Sequence, residues 1–306
     1  MTIDASLLLR AAADAAGAQQ YPAAALYVVA TPIGNLADLS LRAIHVLSIV
    51  DAVACEDTRH SAPLLRHLGL DKPLVAIHQH NEREAAPAVL ARLAGGERVA
   101  YVSDAGTPGL SDPGAALVAA VREAGHRVLP IPGPSAALAA LSVAGDATAS
   151  SFRFAGFLPT TAGERGRALA ALLAQADAQI LFEAPHRIES LCRALGEAAP
   201  ARRVTLCREL TKQFETVVTL DASALTGWLA EDANRVRGEF VLVVHAPEAK
   251  AAAGADAHDA TLRVLLEALP LKQAVALAVR LTAAPRNALY ERALALKAAG
   301  DNATSP

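Results

Sequence analysis

The sequence predicts an α/β protein with two α/β domains, the first on a parallel sheet and the second on a mixed sheet, and a small helical C-terminal extension. Three observations predict this. In the first half, short apolar runs alternate with helical patterns, as in βαβ units. In the second half, apolar runs lie close together with little helix between them, which favours antiparallel members. The last stretch carries helical spacing alone, beyond an Ala/Gly/Pro-rich linker.

Taken in order, residues 1–24 read as a mobile, Ala-rich leader with some helical character. Its Leu7-Leu8-Leu9 run follows Asp4 and is interrupted by Arg10, so it does not read as a signal peptide. The first domain, 25–145, has expected strands at 26–30, 52–55, 75–77, 99–102 and 128–131. Expected helices lie at 40–49, 62–68, 84–94, 114–124 and 135–144, with Asp112 and Ser135 as N-caps or near-caps. Small polar residues from 144 to 152 cross into the second domain, 146–247. Its expected strands are 152–157, 180–182, 204–206, 214–220 and 240–245, with a helix around Trp228. A linker at 248–260 precedes the extension, 261–300. There, helical spacing at 261–268, 271–281 and 288–298 is broken by Ala283-Ala284-Pro285-Arg286-Asn287, giving a helix-turn-helix flavour.

A chain of 306 residues accommodates two core-bearing domains. Its 53% hydrophobic content suits packed helices on sheets and argues against disorder. A net charge of −3 lacks the overall basic footprint of a nucleic-acid binder. Charge is uneven, however. Arg187 to Lys212 holds six Lys/Arg against three Glu, and Asp259 to Lys297 holds six against three acids. Either cluster alone also reads as a solvated helix face. Cys55, Cys192 and Cys207 are odd in number and lack CxxC spacing, as expected of reduced, mostly buried thiols in a cytosolic protein. No run is long and apolar enough to be expected to span a membrane.

Four strand-to-loop junctions carry the chemistry. The richest is Val102-Ser103-Asp104-Ala105-Gly106-Thr107-Pro108-Gly109-Leu110-Ser111-Asp112-Pro113-Gly114. Ligands in open α/β sheets sit beyond the carboxyl ends of strands, where such loops lie. Gly permits close backbone approach and Pro fixes loop shape. One such loop alone reads equally well as a tight turn with a cap. The others are Ala30-Thr31-Pro32-Ile33-Gly34-Asn35-Leu36, Glu56-Asp57-Thr58-Arg59-His60 and Pro132-Gly133-Pro134-Ser135-Ala136. Four of them in one half of a chain argue for a built site.

With Gly156-Phe157-Leu158-Pro159 and Arg208-Glu209-Leu210-Thr211-Lys212, this ordered set resembles the tetrapyrrole methylase superfamily. Within it the set resembles the ribosomal RNA small subunit methyltransferase I branch, from about residue 26 to about 296. The resemblance implies two domains of tetrapyrrole-methylase type and an S-adenosylmethionine-dependent enzyme. Its expected reaction is methylation of a cytidine ribose 2′-hydroxyl in the decoding region of 16S rRNA, in the assembled small ribosomal subunit. A cytoplasmic homodimer is also implied.

By the same resemblance the cofactor lies in a cleft between the domains. Asp104, Gly106 and Thr107 hold one part, and Ser135 and Ala136 hold another at a helix start. Pro32 and Ile33 form the floor, and Phe182, Glu183 and Ala184 close the far side. The loops do not match G-x-G-x-x-G, which disfavours a dinucleotide site.

A ribose hydroxyl is a poor nucleophile, so an oriented base would help. Glu56, Asp57, Glu183, His186 and Glu209 are the candidates, and the base is not assignable from sequence. The catalytic candidates are Glu183, Arg208 and Glu209, with Arg208 and Lys212 read as phosphate holders. Candidate substrate contacts are Glu56, Asp57, Arg59, His80, Arg165, Arg167, His186, Arg187 and Lys212. Glu56 and Asp57 with Arg59 read equally as a structural ion pair. Relatives in this branch usually carry several Lys/Arg across 158–167; this chain keeps Arg165 and Arg167 but has Thr160, Thr161 and Gly163. His78-Gln79-His80 is the nearest approach to metal spacing and is read as polar surface or substrate contact, so no metal is expected.

Two other readings stand beside this one. The same fold could methylate a tetrapyrrole or small molecule, which the mild charge fits and the helical extension fits poorly. A non-catalytic RNA-binding or assembly protein is the third. Intact Asp104, Gly106, Thr107 and Ser135 speak against it, and absence of cofactor binding would revive it.

Overall fold

A computed structural model describes residues 4–78, 82–247, 258–282 and 284–303. The chain divides into two compact units, 1–245 and 246–306.

The first unit opens with α1 (Ala5–Ala16), then β1 (Ala25–Val29), α2 (Leu41–Ile49), β2 (Ala52–Cys55), α3 (Thr58–His67), β3 (Leu74–Ala76), α4 (Glu82–Ala94), β4 (Arg98–Val102), α5 (Ala115–Glu123), β5 (Arg127–Ile131) and α6 (Ala136–Ala144). The five strands form a wholly parallel sheet in the order β3-β2-β4-β1-β5. Strands β1 and β2 are apolar along their whole length, as expected when both faces are covered. Ile44 and Leu47 of α2 and Leu65 of α3 pack on one face; Val89 and Leu93 of α4 and Leu117 and Val121 of α5 pack on the other. Right-handed crossovers account for this split. The chain leaves β1 and β2 toward one edge but leaves β4 toward the other. Adjacent strands β2, β4 and β1 therefore send their loops apart, and crevices open at their carboxyl ends.

The second half of this unit contains β6 (Phe152–Phe157), α7 (Ala162–Leu173), β7 (Ala178–Glu183), α8 (Ile188–Ala198), β8 (Arg203–Arg208), β9 (Thr216–Asp221), α9 (Leu225–Ala230) and β10 (Phe240–Val244). The sheet order is β6-β7-β10-β8-β9, with β6 parallel to β7 and the other pairs antiparallel. One face is covered by Leu169, Ile188, Leu191, Leu195 and Leu225. The other receives Ala137, Ala140 and Ala144 of α6, which pack on Ile180, Cys207, Val241 and Val243. Helix α6 thus ties the two sheets together, its alanines allowing close approach.

In the second unit, α10 (Asp259–Ala268), α11 (Leu271–Thr282) and α12 (Arg286–Ala303) bury Leu262, Val275, Ala278, Leu289 and Ala293. Asp259, nearly buried, holds Arg292 through two bonds of 2.7 Å.

The expected elements match in kind and order, with three corrections. The leader forms helix α1, capped by Asp4, whose side chain accepts from Ser6 N at 2.9 Å. Ala12 and Ala16 are buried, and Leu8 and Leu9 pack against the core beside α2. Asp112 does not cap α5. The Glu82 carboxylate accepts from Gly114 N and Leu117 N at 2.9 and 3.0 Å and takes that role. Strand β9 starts at Thr216, because Phe214 stands exposed while its carbonyl accepts from Arg208 Nη1 at 3.1 Å. The expected linker falls mostly outside the described residues.

Candidate active site

Three loops at the carboxyl ends of the parallel sheet are tied to one another. Thr31 and Gly106 exchange backbone bonds, N to O at 2.8 and 3.0 Å. The Thr31 hydroxyl donates to Ser103 O, and that of Thr107 donates to Pro134 O at 3.0 Å. Gly106 adopts φ +84, where a side chain would be strained, and an added Cβ would point at Ile33 at 3.4 Å. The loop therefore needs glycine to bring its backbone to the floor of the cleft. Beside it α6 begins at Ser135, whose Oγ accepts from Leu138 N at 3.5 Å. The N–H groups of Ala136 and Ala137 have no intrahelical partner and remain as donors.

These loops face the second sheet across a cleft of about 400 Å³. Ile33, Gly106, Thr107, Ser135, Ala136, Phe182, Glu183 and Ala184 all line it. Leu110, Ser111, Asp112, Phe157, Leu210, Glu239 and Val241 also line it and were not anticipated as site residues. Asp112 was visible in a motif but read as a cap; Glu239 sits in no motif. Pro32 and Asp104 instead line a neighbouring cavity of about 220 Å³, with Thr31, Leu36, His60, Ser61, Leu64 and Ser103. The two cavities share a wall, because Pro32 precedes Ile33 and Asp104 precedes Ala105.

Carboxylates cluster near the cleft. Burial and the nearby Asp104 and Asp112 carboxylates push the Glu56 carboxyl up. Burial, with Asp104 nearby, pushes up Asp112. Glu183 is 2% exposed at the end of β7. Its Oε1 accepts from Ala184 N at 2.9 Å and lies 2.9 Å from Arg187 Nε, close but not aligned as a hydrogen bond. Its Oε2 is buried without a partner. A cleft with aromatic and aliphatic walls, helix-start donors and an unpartnered buried carboxylate oxygen fits a cationic, partly apolar ligand with polar ends. S-adenosylmethionine has that character.

Other expected site residues fall differently. Arg208 is held by the protein: its Nε donates to Arg237 O at 2.6 Å. Lys212 Nζ bridges Glu209 and Glu239 at 2.9 Å each, and Glu209 also accepts from Glu239 N at 2.9 Å. The segment expected to grip phosphates is thus an internal brace. Its lysine stem fills the space a Cβ on Gly34 would take, at 2.5 Å. Asp57 caps α3 and binds Arg59 through both carboxylate oxygens. That bonding holds the Asp57 carboxyl down at about 2. Arg187 Nη2 donates to Leu158 O at 2.6 Å, so it braces the loop before α7. Arg165 donates to Ser190 Oγ at 3.1 Å, while Arg167 and His186 are exposed. His80 lies outside the described residues. Among the described residues no group of three or more His, Cys, Asp or Glu is arranged to hold a metal ion.

Comparison with known proteins places this geometry. Residues 25–226 match the family of Tetrapyrrole (Corrin/Porphyrin) Methylases, and 251–297 match the RsmI C-terminal HTH domain. A Pseudomonas aeruginosa protein named Ribosomal RNA small subunit methyltransferase I is 48% identical over 276 residues, 89% of this chain and 97% of its own. One of the same name from Escherichia coli O157:H7 is 47% identical, over 88% and 94%. Among solved structures, a Thermus thermophilus uroporphyrin-III-C-methyltransferase superposes with a TM-score of 0.52 at 23% identity, over 72% of this chain and 94% of that one. A cobalt precorrin-4 methyltransferase gives 0.53 at 16%. These last two share the fold.

Proposed function

The chain belongs to the tetrapyrrole methylase family, in its ribosomal RNA small subunit methyltransferase I branch, and from that premise we propose that it transfers a methyl group from S-adenosylmethionine to a cytidine ribose 2′-hydroxyl of 16S rRNA. The target lies in the decoding region of the small ribosomal subunit. The observation that carries this reading is near-full-length identity to relatives of that name, joined to a cleft whose lining fits the cofactor.

Bound in the cleft, S-adenosylmethionine supplies an electrophilic methyl group. Gly106 and Thr107 present backbone to it, and the first N–H groups of α6 donate to its polar end. Phe182 and Ile33 provide apolar wall, and Glu183 Oε2 offers a buried acceptor to its positive charge. The chain's part in catalysis is then to hold donor and acceptor in line and to exclude water. Asp104 and Pro32 belong to the wall between the two cavities and reach the cofactor's edge through Ile33 and Ala105. A homodimer working in the cytoplasm completes the reading, on the family resemblance. The tetrapyrrole alternative is not favoured, because the extension matches the RsmI C-terminal domain.

The test is methyl transfer from labelled S-adenosylmethionine into unmodified small subunits, followed by nucleoside mass spectrometry. Label on one cytidine ribose is expected. Label on a base, or cofactor binding with no label in any subunit RNA, would overturn the reading.

A further inference from the structure

The proposed reaction needs a group to take the hydroxyl proton, and most sequence candidates are otherwise engaged. Glu209 is bound by Lys212 and Glu239 N. Glu183 is buried beside Arg187. Asp57 is bonded twice to Arg59, and its depressed titration makes it a weak base. His186 is exposed on the far side of the cleft with no orienting contact described.

His60 is differently placed. Its ring is 66% exposed, and its Nδ1 lies 3.1 Å from Asp104 Oδ2. The other Asp104 oxygen accepts from Asp57 N at 3.1 Å, so the carboxylate is fixed from two sides. A carboxylate on Nδ1 selects the tautomer whose Nε2 is a free acceptor. Both residues line the small cavity, whose wall also includes Thr31, Pro32, Leu36 and Leu64. Its volume of about 220 Å³ suits one nucleoside, and exposed Leu36 offers apolar surface to a base. The cavity abuts the cofactor cleft through Pro32–Ile33 and Asp104–Ala105.

We propose that this small cavity is the acceptor-nucleotide pocket and that His60, oriented by Asp104, is the general base for the 2′-hydroxyl. The proposal rests on the reading of the reaction given above. The ribose oxygen forms its bond to the methyl carbon as the carbon–sulfur bond breaks, and that electron pair stays on sulfur. The hydroxyl proton passes to His60 Nε2 and then to solvent. The charged and titratable groups facing His60 are Asp57 at 3.7 Å, Asp104, Arg59 and Glu56 on neighbouring turns, and His67 on the cavity wall.

The experiment measures single-turnover methyl transfer to unmodified small subunits across pH. The wild-type label is located first. Label away from a ribose overturns the underlying reaction, and the pocket with it. With ribose label established, H60A and H60Q are expected to lose about 10²–10³-fold in rate while binding the cofactor normally by calorimetry. The wild-type rate rises with pH as a general base requires; both variants lose that dependence, and free imidazole restores part of the H60A rate. D104N keeps the acceptor for Asp57 N but sets an amide NH2 against His60 Nδ1, which favours the tautomer with Nε2 protonated, so its rate is expected to fall. Variants that keep the wild-type pH dependence, or that raise KM for the subunit with kcat unchanged, would overturn the assignment of His60 as base.

Discussion

Glu183 offers a test in which stability and ligand binding separate. The perturbation is E183Q, which keeps the shape and removes the charge. Glu183 Oε1 accepts from Ala184 N, and a Gln oxygen can still do so. The Arg187 guanidinium, 14% exposed, loses the carboxylate 2.9 Å from its Nε. Its bond to Leu158 O at 2.6 Å remains. Breaking a fully buried pair costs about 3–5 kcal/mol, but Arg187 retains a carbonyl and some water, so about 2 kcal/mol is expected. For a unit of this size that lowers Tm by about 4–8 °C. The new amide nitrogen enters the space of an oxygen that had no partner, so it gains nothing there.

The same change acts on the cofactor. If Oε2 meets its positive charge, E183Q weakens binding by about tenfold, the loss of one charge-assisted contact. The assay is thermal unfolding with and without S-adenosylmethionine, plus calorimetry for Kd. Wild type gains Tm from the ligand; E183Q gains less. A double-mutant cycle with R187Q isolates the pair term. An apo Tm within a degree or so of wild type would refute the ion-pair reasoning. An unchanged Kd would refute the role of Oε2 in the cleft.

Three further outcomes are expected. S135A removes the cap of α6 and costs about 1 kcal/mol in urea unfolding; because the same turn presents donors to the cleft, Kd for the cofactor also rises, and unaltered binding would move the ligand away from α6. Asp57 titrates near 2 when folded against an ordinary 3.8, so its contribution is present above 3.8 and is lost as pH falls toward 2; the Tm difference between wild type and D57N should shrink across that window, and a constant difference would contradict the pairing with Arg59. Burial pushes the Cys192 and Cys207 thiols up to about 12 and also raises Cys55, and all three are free and buried. A thiol reagent at mild pH should therefore find the folded protein inert and three thiols after denaturation, and fast labelling of the native state would show that one of them is reachable.

The residues that were legible in the sequence are those whose role is local. Strands β1 to β5 are apolar runs ended by Gly, Pro or charge, so their bounds fall within a residue or two of expectation. Gly106, Thr107 and Ser135 act through backbone shape and a cap, and backbone demands are written in nearby residue types. What was not legible depends on partners far along the chain. Arg208-Glu209-Leu210-Thr211-Lys212 looks the same whether it faces solvent or itself; only the return of Arg237 and Glu239 beside it makes a brace. The cap of α5 comes from Glu82, more than thirty residues earlier. Ala12 and Ala16 look unremarkable until α2 covers them. The His60–Asp104 pair is of this kind too. Cys55 pairs with Val102 because β2 and β4 are neighbours, so the residues just beyond each strand come level. That neighbourhood follows from the β3-to-β4 crossover, which passes over β2, a fact of topology that no single motif contains. A site that needs two loops from separate strands is therefore read from sequence as parts, and its chemistry emerges where the sheet order brings those parts together.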